Sequence, residues 1–490
     1  MEEKNVLVAQ REEKLKRIAE LGIPTYPHKF DWTHTPSQIV RAFASQSGAD
    51  LDAEPVRVSV PGRIMLQRDM GKACFMHISD ATERLQVYVR RDWVSELDFK
   101  LLKLLDLGDH VGVTGPLFRT RTGELTVKVE KLAFLSKALL PLPEKFHGLI
   151  DVEIRHRQRY LDLAMNPEVK QVFQTRSAII RWLRRYLDER AYVEVETPIL
   201  QPIPGGALAR PFKTHHNALD VDLYMRIAPE LYLKRLIVGG FDRVYELNRV
   251  FRNEGISHMH NPEFTMLEFY EAYSSYEDLM GMTEEMLAGL ARDVVGKTEI
   301  KYGEELIPLH TPWPRMPYME ALARFSGIDP SRLSDQAVVV EEATRWGMSG
   351  PKTHGKALDF LFDRYVKPKL QRPTYIVDYP TSISPLSKQH PGRPELVERF
   401  ELWIGGMEVA NGFSELNDPE EQLRRFEEQA LQRGAGDEEA HAIDHDYVRA
   451  LRYGLPPAAG EGVGIDRLTM LLTGSPNIRE VILFPLLRPE

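Results

Sequence analysis

The sequence predicts a multidomain α/β protein: a small N-terminal β-barrel, then a larger α/β region interrupted by a helical insertion. Three observations predict it. The chain has 490 residues, more than one hydrophobic core serves and enough for two or three domains. Residues 56–135 break into short alternating strands. Beyond about residue 150, amphipathic helices alternate with longer strands.

Composition narrows the class. Hydrophobic residues make up 43% and charged residues 28%, the balance of a soluble globular enzyme. No apolar run approaches the ~20 residues a membrane helix needs, so no membrane partner is expected. Met1-Glu2-Glu3-Lys4-Asn5 has no apolar segment of the kind a secretory signal carries. Cys74 is the single cysteine, which excludes intrachain disulfides and thiolate-rich zinc sites and fits a reducing cytoplasm. The net charge of −9 repels nucleic acid globally, so such a partner would be met by local basic patches.

Residues 1–52 read as a helical extension. Arg11 to Leu21 has apolar residues at helical spacing with i,i+4 charge pairs, and Gly22 and Pro24 end it. Residues 53–140 read as the barrel. Its strands are Val56–Val60, Ala73–Ile78, Leu85–Val89, His110–Val113 and Leu125–Val129, with a helical stretch at Asp98–Leu105. Five strands with one helix suggest an OB-fold, a barrel that binds oligonucleotides; a small barrel of unrelated role fits the same pattern. Residues 141–150 read as a linker. In 151–490, helix Ser177–Arg190 leads to strand Tyr192–Thr197, which stops at Pro198. Residues about 300–395 read as the inserted helical module, with a helix from Pro317 at its first position to Gly327 at its C-terminal cap.

Three constellations carry chemistry. In the first, Arg252-Asn253-Glu254 leaves one strand, and a polar loop leads to a second. Alternation there sends Phe264, Met266, Glu268 and Tyr270 to one face. A ring, an acid and a phenol beside an arginine suit a nucleotide lying next to a cationic small molecule. In the second, Gly405-Gly406 fits a two-residue hairpin turn, pairing Trp403 with Glu408 and Glu401 with Ala410. Glu401 and Glu408 then become diagonal neighbours. Either a Mg²⁺ lies between them, with ATP phosphates as co-ligands, or one of them pairs with a basic side chain. A turn at Asn411-Gly412 would separate them. Asn411, Phe413 and Glu415 share a face, with Gly412 a candidate bulge. The third is Gly460-Glu461-Gly462-Val463-Gly464-Ile465-Asp466-Arg467. Its glycines permit close approach to a flat ligand, and Arg467 at the strand–helix junction can reach a phosphate. No Gly-Lys-Ser/Thr follows, so it is not a Walker loop.

In this order, the helix and strand ending at Pro198, the Arg252 segment and the Gly462–Arg467 run resemble the three signature motifs of class II aminoacyl-tRNA synthetases. Further matches place the resemblance in the lysyl-tRNA synthetase family, almost end to end. They are Arg157-Gln158-Arg159-Tyr160-Leu161-Asp162-Leu163, Pro204-Gly205-Gly206-Ala207, Arg226 to Lys234, Ser384-Pro385-Leu386-Ser387-Lys388 and Asn411 to Leu416. The resemblance implies an antiparallel-sheet catalytic domain over 151–490 and an anticodon-binding OB-fold over 53–140. It implies a cytoplasmic homodimer that joins lysine to its tRNA using ATP and Mg²⁺.

The roles it implies are these. Arg252 holds the α-phosphate and the amino-acid carboxylate. Phe264 stacks on adenine, with Arg467 against the other face and reaching the γ-phosphate. Glu254 accepts from the adenine amino group, and His260 contacts the triphosphate tail. Gly206 and Glu230 receive the α-amino group; Glu268, Tyr270 and Glu415 bind the distal amine, in a pocket that also holds Phe413. Asn411 assists at the carboxylate, and Glu401 and Glu408 hold Mg²⁺. Phe75, Gln86 and Glu124 read the anticodon, with Arg68 nearby for phosphate. Two positions depart from the family pattern: Met259 stands where a basic residue precedes the motif 2 histidine, and Ala191 replaces a glycine. A pocket with Glu230, Glu268 and Glu415 is acidic, which disfavours the aspartyl and asparaginyl relatives.

Overall fold

The computed structural model describes residues 2–143, 151–349, 352–434, 440 and 442–489. Most of the linker expected at 141–150 lies outside them. The chain forms two compact units, Met1–Gln171 and Val172–Glu490.

In the first unit, strands Arg57–Asp69, Ala73–Ser79, Arg84–Arg90, Leu125–Lys128 and His110–Arg119 follow one another in the sheet. The last pairs back onto the first, Val60 opposite Val113, and closes the barrel. Closure removes exposed strand edges. A sixth strand, Lys131–Ser136, runs beside His110–Arg119. The sequence reading lacks it because only two residues separate it from the strand before. Alternation sends Val60, Ile64, Met76, Val87, Val111 and Val127 into the interior, each contributing roughly 1.5–3 kcal/mol by burial. Cys74 is buried there. Desolvation, helped by the charge of Asp69, pushes its thiol up to about 11, so it is unreactive. The first helix, Glu2–Glu20, ends where Gly22 takes φ 77°, and its Ile18 joins the barrel core. The expected Asp98–Leu105 helix begins earlier, at Glu96, because the Ser95 hydroxyl caps the Asp98 N–H.

The second unit is built on a nine-stranded sheet. Along it lie Arg315–Pro317, Thr374–Pro380, Arg393–Ile404, Met407–Ser414, Ala458–Gly464, Glu263–Ala272, Arg243–Phe251 and Val193–Glu194. The two end pairs are parallel and the rest antiparallel. One face is covered by helices. Leu267, Phe269 and Val463 from the sheet pack there with Ile179, Leu183, Leu287, Leu468 and Leu471. Met266, Glu268 and Tyr270 alternate with them and face the other way, into a cavity.

The helical insertion is narrower than the expected 300–395. Helices Tyr318–Ser326, Pro330–Leu333, Gln336–Arg345 and His354–Tyr365 lie between Arg315–Pro317 and Thr374–Pro380, which are strands of the main sheet. Pro317 is the N-cap rather than the first helical residue, since its ψ of 141° is still extended. Gly327 closes the helix in the left-handed region, as expected.

Ala191 follows helix Pro167–Asp188 at φ 60°. There its N–H bonds the Asp188 carbonyl, and that of Tyr192 bonds Leu187. A Cβ in this region costs roughly 1–2 kcal/mol, part of which glycine returns through its freer unfolded chain. Ala191→Gly is expected to stabilise the second unit by about 0.5–1 kcal/mol, measured as a higher urea midpoint. A lower midpoint contradicts this account of the strain.

Candidate active site

The cavity, of about 410 Å³, sits on the open face of the sheet. Strand Glu263–Ala272 lines it with Phe264, Met266, Glu268 and Tyr270. Arg252 stands just beyond the paired strand, where its N–H bonds the Pro262 carbonyl. Its guanidinium lies 5.2 Å over the Phe264 ring, and its buried Nε has no hydrogen-bond partner. Burial lowers its pKa, against the pull of Glu254 and Glu408. A desolvated cation with an unfilled donor beside a flat ring is built to meet an anion.

Strand Ala458–Gly464 runs alongside, with Gly464, Gly462 and Gly460 opposite Met266, Glu268 and Tyr270. A Cβ at Gly460 would come within 2.2 Å of the Tyr270 ring and 2.6 Å of Glu415. That glycine therefore makes room for the protein's own side chains, not for a ligand. At Gly462 the nearest atom would be the Met266 sulfur at 3.5 Å, which leaves open floor.

Strand Met407–Ser414 comes next and adds Asn411 and Phe413, opposite Gly462 and Gly460. Its turn is Gly405-Gly406, at φ 60° and 71°, so Asn411-Gly412 is not a turn. The expected pairing of Glu401 with Ala410 is wrong. Trp403 faces Glu408, but Leu402 faces Ala410 and Glu401 faces Asn411. Val409 is the extra residue, a bulge that shifts the alternation. It brings Asn411 and Phe413 onto the face that Glu401 and Glu408 share, and all four line the cavity. Gly412 is needed for packing instead, since a Cβ there would meet the Phe400 ring at 2.6 Å.

The acidic end differs from the expectation of three free glutamates. Glu268 is 4% exposed, and its carboxyl accepts from the Tyr270 hydroxyl at 3.1 Å. Burial first, then the charge of Glu230, pushes its pKa up to about 8. Glu230 and Glu415 share Lys234, whose ammonium is 2.5 Å from Glu230 and in closer contact with Glu415. Burial opposes the charge on Lys234, but the two carboxylates outweigh it and hold its proton. Glu415 lies behind the cavity wall rather than in it, its carboxylate drawn to Lys234. Gly206, at φ 88°, completes this end: a Cβ would strike those of Glu230 and Ala228 at about 3 Å.

At the other end, Arg467 donates to the Glu408 carbonyl at 2.8 Å and lies 3.3 Å from His260. The preceding residue, Asp466, accepts from the Thr265 N–H and pairs with Arg176 at 2.7 Å, which ties the start of the Arg467 helix to strand Glu263–Ala272. Burial, then the Arg467 charge, lowers His260 to about 4. It is therefore neutral at pH 7 and meets a phosphate as a hydrogen-bond donor only. Glu254 and Met259 line the cavity, and Met259 also packs against the core.

Glu401 takes the basic partner that spacing left open. It accepts from Arg399 and from the Tyr379 hydroxyl, both at 2.6 Å, and from the Trp403 indole at 3.2 Å. Burial, then the charge of Glu408, raises it to about 7. Among the described residues, no group of three or more His, Cys, Asp or Glu stands ready for a metal.

Several lining residues escaped the sequence reading. Arg399 grips Asn411, Ser384 and Glu401 together; its place two residues before Glu401 on one strand was a usable signal. Asp359 reaches the cavity from the insertion, which no local pattern announces.

In the first unit, Arg68, Phe75 and Tyr88 stand opposite one another across three strands. Phe75 stacks on Tyr88 at 4.1 Å. In the next row, His77 faces Gln86 and Gln86 faces Thr126. The Thr126 hydroxyl donates to Gln86 Oε1 and Gln86 Nε2 to Glu124, whose other oxygen meets His77. The four expected residues thus share one barrel face, together with His77 and Tyr88, which sequence reasoning missed.

An arginine-led strand pair and a glycine strand that runs into the helix carrying Arg467, on one largely antiparallel sheet, define the catalytic domain of a class II tRNA synthetase. The family of class II tRNA synthetases (D, K and N) matches residues 151–488, and that of OB-fold nucleic acid binding domains matches 58–135. Lysine–tRNA ligase of Pelotomaculum thermopropionicum is 53% identical over 100% of this chain and 96% of its own length. Those of Coxiella burnetii and Moorella thermoacetica are each 51% identical over 100% of this chain and 99% of their own. The chain belongs to the lysine–tRNA ligase family of class II tRNA synthetases.

Proposed function

We propose that this chain activates lysine with ATP and transfers it to the 3′ end of its tRNA. The observation that carries this is Glu268, a nearly unexposed carboxyl at one end of a cavity whose other end holds Arg252 and Arg467. A lysine carboxylate oxygen attacks the α-phosphorus, the bond to the bridging oxygen breaks, and pyrophosphate leaves. A ribose hydroxyl of the tRNA terminal adenosine then attacks the carbonyl, losing its proton as AMP leaves. Positioning and charge stabilisation do the work. Arg252 meets the α-phosphate and substrate carboxylate, with Asn411 beside it. Phe264 and Arg467 enclose adenine, Glu254 accepts from its amino group, and neutral His260 donates to the phosphate tail. Gly206 and Glu230 receive the α-ammonium. Glu268 and Tyr270, with Glu415 behind them and Phe413 alongside, face the distal one.

Glu401 and Glu408 are the residues that would hold Mg²⁺. They fit only as a partial set, since Arg399 already occupies Glu401 and most oxygens would come from phosphate and water. Bound there, Mg²⁺ supplies charge neutralisation of the triphosphate. Exposed Val193, Leu200 and Val221 support burial against a second copy in a homodimer. Among the described residues no helix is long and apolar enough to cross a membrane. The inert Cys74 thiol suits the cytoplasm we assign. ATP–pyrophosphate exchange across the amino acids tests the reading; an amino acid other than lysine giving the fastest exchange overturns it.

On the barrel, Glu124 presents a fixed acceptor beside the Gln86 amide, with Phe75 as a stacking platform and Arg68 for phosphate. Glu124→Gln is expected to raise KM for tRNA at least tenfold, the discrimination of one lost base contact being about 1–3 kcal/mol. Pyrophosphate exchange without tRNA should stay within twofold. Equal loss in both assays contradicts the anticodon role.

A further inference from the structure

Helix Glu230–Val238 places Glu230 and Lys234 one turn apart on its buried face. Lys234 is 0% exposed. Its ammonium joins Glu230 on the helix to Glu415 at the end of strand Met407–Ser414, beneath the Phe413 ring at 5.1 Å. Two walls of the pocket therefore meet on one nitrogen. Lys234 is not itself in the cavity lining.

The surrounding charges can be assigned. Arg399, which faces Glu230, is paired with Glu401. Glu246, which faces Glu268, is paired with the buried Arg226 at 2.6 Å. Tyr270 and Tyr447 are phenols. Arg252 remains for a substrate carboxylate. Glu461 is turned to the helix-covered face, where it accepts from the Thr283 hydroxyl. At the acidic end, among the described residues, this leaves Glu230, Glu268 and Glu415 against one lysine. A buried carboxylate persists only when a cation answers it. With Glu268 ionised, the deficit is two positive charges, the number that the two ammonium groups of lysine bring.

We infer that Lys234 is the positioning residue of the amino-acid pocket: it clamps Glu230 to Glu415 and offsets one of three carboxylates, so that only an amino acid with two ammonium groups completes the balance. The inference rests on the lysine reading above and adds to it the residue that sets the pocket's charge.

A double-mutant cycle tests it. Glu415→Gln leaves Lys234 paired with Glu230 alone and leaves the pocket one carboxylate short of two ammonium groups. It should lower kcat/KM for lysine in pyrophosphate exchange about a hundredfold, the order of a lost buried pair. Lys234→Met in that background removes one positive charge and restores the deficit of two. The double variant should recover at least tenfold over Glu415→Gln and melt at a higher temperature, with KM for ATP unchanged throughout. A merely structural lysine gives no recovery, and a double variant as impaired as Glu415→Gln, or less stable, overturns the proposal. Lys234→Arg keeps the charge and should hold lysine KM well below that of Lys234→Met; equal impairment of these two also overturns it. If the wild type prefers another amino acid, the lysine reading fails, while the melting cycle still reads the Lys234–Glu415 pairing.

Discussion

Arg252→Ala is expected to reduce ATP–pyrophosphate exchange by about 10²–10³ while melting within a few degrees of the wild type. Removing the side chain takes away a cation whose Nε has no partner and whose burial already opposes its charge. Among the described residues no side-chain hydrogen bond ties Arg252 to the fold, so the loss falls on chemistry. The developing charge on the α-phosphate loses its nearest donor. Arg467 remains, fixed by the Glu408 carbonyl, so KM for ATP should rise less than kcat falls. The proposed roles of the two arginines are thereby separable: Arg252 for the reacting phosphorus, Arg467 for the ring and the tail. Exchange at the wild-type rate, or a collapse in melting temperature, would remove Arg252 from the mechanism.

The parts legible in the sequence are those set by period and by turn chemistry. Strand alternation placed Phe264, Met266, Glu268 and Tyr270 on one face because a half-buried strand leaves no other arrangement, and all four line the cavity. The Gly405-Gly406 turn was legible because both residues need positive φ. Counting pairs away from that turn failed after Trp403, since Val409 is an ordinary strand residue and nothing local marks it as a bulge. The Gly460 reading named the right property and the wrong occupant: close approach is required, but by Tyr270 and Glu415. Charge was the least legible. Glu230 and Glu415 read as free because the lysine they share is set by tertiary packing. Even so, Lys234 stands four residues after Glu230, and an i,i+4 pair on a helix was there to be read. Asp359 and Arg399 reach the cavity through the insertion and a neighbouring strand, which no local window joins.

The pH dependence of lysine binding follows from Glu268. Its pKa of about 8 in the empty pocket, raised by burial and then by Glu230, leaves it mostly protonated at pH 7. An ammonium ligand binds the ionised form, so affinity is withheld below pH 8 and gained as pH rises towards it. KM for lysine should fall about ninefold between pH 6 and pH 7 and level off above 8, while KM for ATP stays flat. Ionising Glu268 at pH 7 costs about 1.4 kcal/mol. The ion pair it then makes is worth roughly 4 kcal/mol at ~4 Å and an effective dielectric near 20, so attraction wins by about 2.6 kcal/mol, a factor of ~80. Glu268→Gln should therefore raise lysine KM about a hundredfold at pH 7 and remove Glu268's share of the pH slope, leaving ATP alone. The amide keeps the size and still accepts from Tyr270, so packing is not the cause. A slope unchanged in Glu268→Gln would assign the titration to another group, and equal damage to lysine and ATP binding would make Glu268 a structural residue.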